Sequence, residues 1–256
     1  MRTTRADKPH VFKVAMAIPT EGHTLPEAYD NHLVHAQRVG AWEERQKWDG
    51  SNPRFEIYWY STGRLLTQMA REKLIEVSLK GEIDFVIMYD DDMVLPPDFT
   101  IKILEDMVKH PEIDVLGALA FMRNAPHYPV IYTVTEGYDP KTHQPYYFRE
   151  FVKNYPKDTL VECDAVGFGG VCIRTSLLKR MQAPFFMSTT GTGEDIWFCY
   201  QAKKQAQARI FMDTRIKLGH LKNPEIVDEA YFEDWAKKNK VDLGEEVLNK
   251  YIGVDK

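Results

Sequence analysis

The sequence predicts an α/β fold built on a mostly parallel sheet, and three observations carry that prediction. Four short apolar runs begin near residues 11, 55, 84 and 114, with helical periodicity between them. One of these runs, Phe85 to Tyr89, is apolar throughout, as a strand buried on both faces requires. The pattern then changes between Met122 and Leu160, where six tyrosines and five prolines replace the aliphatic runs. That stretch predicts short antiparallel strands and loops.

The elements follow in order. Met1 to Pro9 reads as a frayed end. Val11 to Ile18 is the first strand, broken by Pro19-Thr20-Glu21-Gly22. A polar loop after a first parallel strand is a place where a nucleotide docks. Glu27 to about Ala41 predicts a helix, and Trp42 to Arg54 a charged connection. Phe55 to Tyr60 is the second strand, ended by Ser61-Thr62-Gly63, whose hydroxyls suit a helix cap. The next helix, about Arg64 to Lys80, places Leu66, Met69, Ala70, Leu74 and Val77 on one face, and Gly81 stops it. Together, Phe55 to Tyr89 form a strand–helix–strand unit of the right-handed parallel type.

Asp90-Asp91-Asp92 follows the strand Phe85 to Tyr89 directly. Alone, three adjacent acids make a solvated turn. At the carboxyl end of a buried strand they stand where open α/β sheets bind ligands. Their mutual repulsion is relieved by a cation, with Asp90 and Asp92 the natural pair around it. Asp98 is then placed to cap a helix carrying Ile101, Leu104, Met107 and Val108, and Asp114 to Phe121 is a further strand. Glycines 167, 169 and 170 interrupt an apolar run, which implies close backbone approach to a ligand or a strand. Val171 to Arg174 is a strand, and Thr175 or Ser176 caps a short helix. Gly191-Thr-Gly193-Glu194-Asp195 opens a helix from Ile196 to about Gln207, Ile210 to Asp213 is a last core strand, and the tail from Asn223 predicts one or two helices.

Composition narrows the classes. A net charge of −5 and a pI of about 5.9 argue against general nucleic-acid binding. No apolar run approaches the ~20 residues of a spanning helix, and residues 1–10 lack the apolar core of a secretory signal. Three cysteines without a C-x-x-C give neither a disulfide framework nor a zinc knuckle, so a cytoplasmic, reducing setting is expected. Cys172 and Cys199 sit in apolar context and read as core residues.

Four segments taken together resemble a glycosyltransferase of the GT-A fold, close to family 2 and its phage-like and bacterial members. They are Val14 to Glu21, Asp90-Asp91-Asp92, Ala165 to Gly170, and Gly193 to Phe198, with His220 in Leu-Gly-His as a fifth. The resemblance implies a single domain over residues 1–222 and a helical extension over 223–256. Residues 11–121 would form a Rossmann-like nucleotide-sugar-binding half and 122–222 the acceptor half with short antiparallel strands. It implies roles as well. Asp90 and Asp92, completed by His220, would hold Mn²⁺ or Mg²⁺, and Asp91 would lie near the ribose or sugar. Pro19, Thr20 and Glu21 would line the nucleoside pocket, with Ser61 and Thr62 where relatives often carry an Asp for the base. Arg71 would lie near the nucleotide. Arg123, Asp164, Gly169, Gly170 and Trp197 would face the sugar or acceptor. Asp195 would be the base of an inverting transfer and Glu194 its helper.

The chemistry asks for such parts independently. A divalent ion stabilises a departing diphosphate as a Lewis acid. Carboxylates suit a hard ion, and an imidazole ligand suits Mn²⁺ better than Mg²⁺. The donor would be a UDP- or GDP-sugar. The acceptor stays open among a glycan, a lipid-linked sugar, a small metabolite, a protein or a modified nucleobase. A retaining transferase of the mannosylglycerate synthase type is the near alternative. A nucleotidyltransferase would show a Gly-rich basic phosphate loop after the first strand, which Pro19 to His23 is not. A carbohydrate-binding module would not need both the triple aspartate and the Glu-Asp helix start.

Overall fold

The structure, a computed structural model, describes residues 10–20, 24–138, 145–188, 192–222, 225–244 and 251–252. The frayed start, Glu21, Gly191, and Val247 and Leu248 of the tail lie outside the described residues. In chain order the elements are β1 (Val11–Ile18), α1 (Pro26–Gln46), β2 (Arg54–Ser61), α2 (Thr67–Lys80), β3 (Phe85–Tyr89), β4 (Met93–Val94) and α3 (Phe99–Lys109). Then come β5 (Val115–Leu119), β6 (Ile131–Tyr138), β7 (Pro145–Phe151), β8 (Leu160–Cys163), β9 (Ala165–Val166), β10 (Gly170–Arg174) and α4 (Thr175–Leu178). The last are α5 (Glu194–Ala206), β11 (Ile210–Lys217), β12 (Gly219–Lys222), β13 (Glu225–Val227), α6 (Glu229–Lys238) and β14 (Tyr251–Ile252).

The fold is mixed α/β, with a mostly parallel central sheet and added antiparallel strands, as the GT-A resemblance implies. The central sheet runs β14-β8-β11-β5-β10-β3-β1-β2. Strands β2, β1 and β3 are parallel neighbours, and β11 is parallel to β5. Strand β10 enters between β3 and β5, antiparallel to both. The strand near residue 114 is therefore not the direct neighbour of the acidic strand; a later segment separates them. The aromatic middle forms the antiparallel β7-β6-β9 sheet.

Alternation along the strands divides the interior into two layers. Val14, Met16, Phe85, Ile87 and Tyr89 pack with Phe99, Ile103, Leu104 and Met107 of α3. Ala15, Ala17, Val86 and Met88 pack with Leu74 and Ile75 of α2 and with Ile196, Phe198, Cys199 and Ala202 of α5. The three cysteines are buried and unpaired. Among the described residues no helix is long and apolar enough to cross a membrane.

Several elements depart from the expected bounds. Helix α1 runs on to Gln46, because its last turns contact the edge strand β2. Trp42 stacks on Phe55 at 5.3 Å, and Gln46 Oε1 and Glu43 Oε1 accept from the Phe55 and Ile57 amides at 3.0 and 3.3 Å. Those side chains satisfy donors that an edge strand otherwise leaves open. Helix α2 starts only at Thr67, and Ser61 and Thr62 do not cap it. Arg64, in the left-handed region at φ 56°, turns the chain first, and the N-cap position is Leu66 with no side-chain bond. Asp98 occupies the N-cap position of α3 without making a cap bond; its carboxylate pairs with Lys102 at 2.7 Å. Thr175 lies inside α4, with its hydroxyl donating to the Ile83 carbonyl at 2.6 Å. The tail is not wholly helical. Helix α6 is capped by Asp228, which accepts from the Tyr231 amide at 2.8 Å. On either side of it, β13 pairs with β12, and β14 with β8 of the central sheet.

The small sheet β13-β12-β4 brings the late Leu-Gly-His segment against the acidic turn. Gly219 pairs with Val94, and a Cβ there would sit 2.4 Å from Ile226 Cγ2 and 3.3 Å from Val94 Cβ. The Val94 Cβ, on the paired strand, leaves little room on the other side. Gly219→Ala is expected to destabilise the protein by about 1–3 kcal/mol through overpacking, read as a lower denaturation midpoint.

Candidate active site

The site forms where β3 ends. The Asp90 amide donates to the Gly169 carbonyl at 3.3 Å, which ties the acidic turn to the glycine segment. Helix α1 fixes the rest of the turn from behind. Asn31 exchanges two bonds with the Leu95 backbone, at 3.0 and 2.8 Å, and His32 Nε2 donates to the Met93 carbonyl at 2.7 Å. These inward polar residues of α1 were not singled out in the sequence. Their only signal is polarity on the helix face that meets the sheet.

The three aspartates have different fates. Asp90 Oδ1 accepts from Arg71 Nη2 at 2.6 Å. Burial pushes its carboxyl above the ordinary range, against the pull of that guanidinium. Asp91 Oδ2 is buried without a hydrogen-bond partner. Asp92 Oδ2 accepts from Arg123 Nη1 and faces His220 Nε2, both at 3.1 Å. Burial raises the Asp92 carboxyl, but His220 and Arg123 outweigh it and hold it below the ordinary range.

His220 is oriented by a second bond. Its Nδ1 lies 2.8 Å from the Phe121 carbonyl, which can only accept, so Nδ1 carries a proton. Nε2 is then the nitrogen presented to Asp92. Either it is protonated, giving an imidazolium, or its lone pair points at the carboxylate and asks for a shared cation.

Arg71 links this turn to α5. Its side chain is 3% exposed, and Nη1 donates to Glu194 Oε1 at 2.6 Å while Nη2 holds Asp90. Its guanidinium carbon lies 5.4 Å from the centre of the Phe168 ring. Burial alone would lower its pKa, and Asp90, Glu194 and Asp195 outweigh that. Neither acid of the Glu-Asp pair is the N-cap of α5. That position is Gly193, with no side-chain bond. Glu194 goes to Arg71, and Asp195 Oδ1 accepts from the Ile196 amide at 2.7 Å. Burial, reinforced by Glu194, pushes the Asp195 carboxyl up to about 6.

Two cavities of about 390 Å³ each adjoin here. The first is lined by Pro19 and Thr20 after β1, by Leu25, Leu65 and Ala70, and by Asp90, Asp91 and Asp92. The second holds Arg71, Phe121, Phe168, Gly169, Glu194, Asp195 and His220. Thr67, Asp90 and Arg123 line both, so the two are neighbours that share a wall.

Most of the sequence-derived residues thus meet at one place: Pro19, Thr20, Arg71, Asp90, Asp91, Asp92, Arg123, Gly169, Glu194, Asp195 and His220. Others fall outside both cavities. Gly170 lies in β10, where its missing Cβ leaves room for Leu218 and Phe99. Asp164 holds the Val134 amide at 3.0 Å and pairs with Lys203, which fixes the β6–β9 junction. Ser61, Thr62 and Trp197 line neither cavity. Thr67 and Asn124 line the cavities and carry no sequence motif.

The donor set suits a hard divalent ion in chemistry. It offers the Asp92 carboxylate, the His220 Nε2 edge and the unpartnered Asp91 oxygen. Asp90 is committed to Arg71. Among the described residues no group of three or more such side chains stands close enough together to hold a metal ion.

No protein-family model matches the sequence, and no curated protein matches it. Solved structures do resemble it. The structure of A197 from STIV aligns with a TM-score of 0.54 at 14% identity, covering 85% of this chain and 93% of that one. The catalytic domain of Drosophila beta1,4galactosyltransferase 7, in complex with xylobiose, aligns at 0.40 and 17% identity, over 85% and 71% of the two chains. S. aureus TarS 1-349 aligns at 0.43 and 14% identity, over 78% and 58%. The likeness to A197 is one of fold.

Arg71→Met leaves Asp90 and Glu194 as unpaired, partly buried charges. A loss of about 3–5 kcal/mol is expected, measured by denaturant unfolding. Adding Asp90→Asn and Glu194→Gln to the same chain is expected to recover much of it, because the two acids that Arg71 holds directly are then neutral.

Proposed function

We propose that this chain is a metal-assisted glycosyltransferase that moves a sugar from a nucleotide-diphosphate sugar to an acceptor hydroxyl with inversion. One observation carries the reading. Two cavities share Asp90 and Arg123; one is lined by the triple aspartate and the other by a carboxyl group whose pKa is raised to about 6. The first cavity lies beyond the carboxyl ends of β1 and β3, the ligand position of open α/β sheets. A diphosphate cannot settle against Asp90, Asp91 and Asp92 unless a cation lies between them. Asp92, His220 and Asp91 would hold that ion, Mn²⁺ or Mg²⁺, which when bound supplies Lewis-acid stabilisation of the leaving diphosphate. Pro19, Thr20 and Leu65 would enclose the nucleoside side.

The second cavity would take the acceptor. Phe121, Val130 and Phe168 give it an apolar part of the wall, and Asp195, which also lines it, would take the hydroxyl proton. In the transfer the acceptor oxygen bonds to the anomeric carbon as its proton passes to Asp195. The anomeric carbon–oxygen bond breaks, with its electron pair leaving on the diphosphate. Glu194, fixed by Arg71, would orient the acceptor, and Arg123, reaching both cavities, would meet the junction between donor and acceptor.

Four outcomes test this. Screening UDP-, GDP- and dTDP-sugars should find a donor whose turnover requires Mn²⁺ or Mg²⁺. Full activity in excess chelator would remove the ion from the account. With that donor, Asp195→Asn should lose about 10²–10⁴-fold in kcat with little change in donor binding. In the wild type, kcat/KM should fall as pH drops below about 6, because Asp195 must be ionised to accept the proton. NMR of the product should show an inverted linkage, and a retained one would overturn the role of Asp195 as base.

A further inference from the structure

Arg149 lies on β7, paired in register with Val134 of β6. Its guanidinium carbon stands 5.5 Å from the ring centre of Tyr132 and 6.0 Å from that of Phe151. The two ring faces hold the cation without neutralising it. Among the described residues no carboxylate lies within ion-pair distance of it. Across from it is Gly193. A Cβ on Gly193 would lie 2.7 Å from Asp195 Oδ1 and 3.9 Å from Arg149 Nη1. The glycine therefore leaves open the space through which the two charges face each other, no more than about 7 Å apart, a range at which partly buried charges interact strongly.

Among the groups facing Asp195, Arg71 gives the largest pull toward the ionised form, and Arg149 adds a further, smaller one. Glu194, beside it on α5, repels it, and Arg71 from α2 attracts it but already serves Asp90 and Glu194. Tyr132 from β6 and Cys199 from α5 are neutral neighbours whose own ionisation Asp195 opposes. The Ile196 amide supplies one hydrogen bond. Arg149 is the facing cation that has no carboxylate of its own.

We infer, resting on the reading of Asp195 as the base, that Arg149 is a positioning residue whose guanidinium keeps the Asp195 carboxylate ionised to receive the acceptor proton. It acts through Asp195. Its place on the β6–β7 hairpin makes the readiness of the base depend on how the acceptor half is seated against α5.

The pH profile of kcat/KM tests this. Arg149→Met is expected to move the acidic limb upward by about one pH unit, with the rate recovering toward wild type at higher pH, while Arg149→Lys keeps the limb near its wild-type place. A loss of rate that is equal at every pH, in folded Arg149→Met, would overturn the inference and leave Arg149 a packing residue. A second measurement does not need turnover. The ¹³C-carboxyl resonance of Asp195, assigned by its absence in Asp195→Asn, should titrate at higher pH in Arg149→Met than in wild type. If that variant does not fold, Arg149→Gln replaces it in both experiments. Full turnover by Asp195→Asn would defeat the base reading alone, and the carboxyl titration would still decide whether Arg149 sets the charge of Asp195. An unmoved titration midpoint overturns the inference.

Discussion

The buried guanidinium of Arg71 is the interaction on which the rest of the site depends. It is the bridge between Asp90, at the end of β3, and Glu194, in the first turn of α5. The arginine, 3% exposed, cannot be left buried without the two acids, which are themselves partly buried. The consequence is geometric. The end of the acidic strand and the start of the helix that bears Asp195 are held at one distance by a planar fork with fixed bond directions. The first cavity contains one end of that bridge and the second contains both, so a shift in either is felt at the junction.

A second set of contacts works around this bridge. The β12 backbone pairs with β4, which places His220 beside Asp92, and the Phe121 carbonyl fixes which imidazole nitrogen faces that carboxylate. Helix α1 holds the same turn from its other side through Asn31 and His32. The acidic turn is thus pinned by three separate elements before any ligand arrives. Such preorganisation is what electrostatic stabilisation of a leaving group requires. Asp91 is the exception. Its Oδ2 is buried with no partner, a cost that the fold bears in a cavity wall where a cation or a ligand donor would relieve it.

Much of this was legible in the sequence because it is local. An apolar run ending in three acids, glycines within a strand, and two acids heading a helix each report their own backbone context. The convergence of Asp90, Asp92, Glu194, Asp195 and His220 was implied by the family resemblance that the order of those segments carries. What was not legible depends on partners far along the chain. The last turns of α1 are fixed by contacts with β2, which periodicity does not encode. The placement of β10 between β3 and β5 is a topological choice that leaves no trace in the residues of β5. Gly170, expected to face a ligand, packs against Leu218 and Phe99, and both uses demand the same missing Cβ. Asp164 looked like a site acid, and its two oxygens are spent on a backbone amide and a lysine. Arg71 entered only through the family resemblance, as a residue near the nucleotide, and nothing in its neighbourhood of sequence says that it is buried between two acids.

The central claim is that the cavity beneath Pro19, Thr20 and the triple aspartate takes a nucleoside diphosphate through a shared cation. Calorimetric titration of UDP and GDP into the protein, with and without Mn²⁺, tests it most directly. The account predicts that at least one of them binds only with Mn²⁺, that Asp92→Asn weakens this binding at least about tenfold through the lost ion, and that Asp195→Asn leaves it unchanged. Equal binding with and without the ion, or undiminished binding by Asp92→Asn, would contradict it.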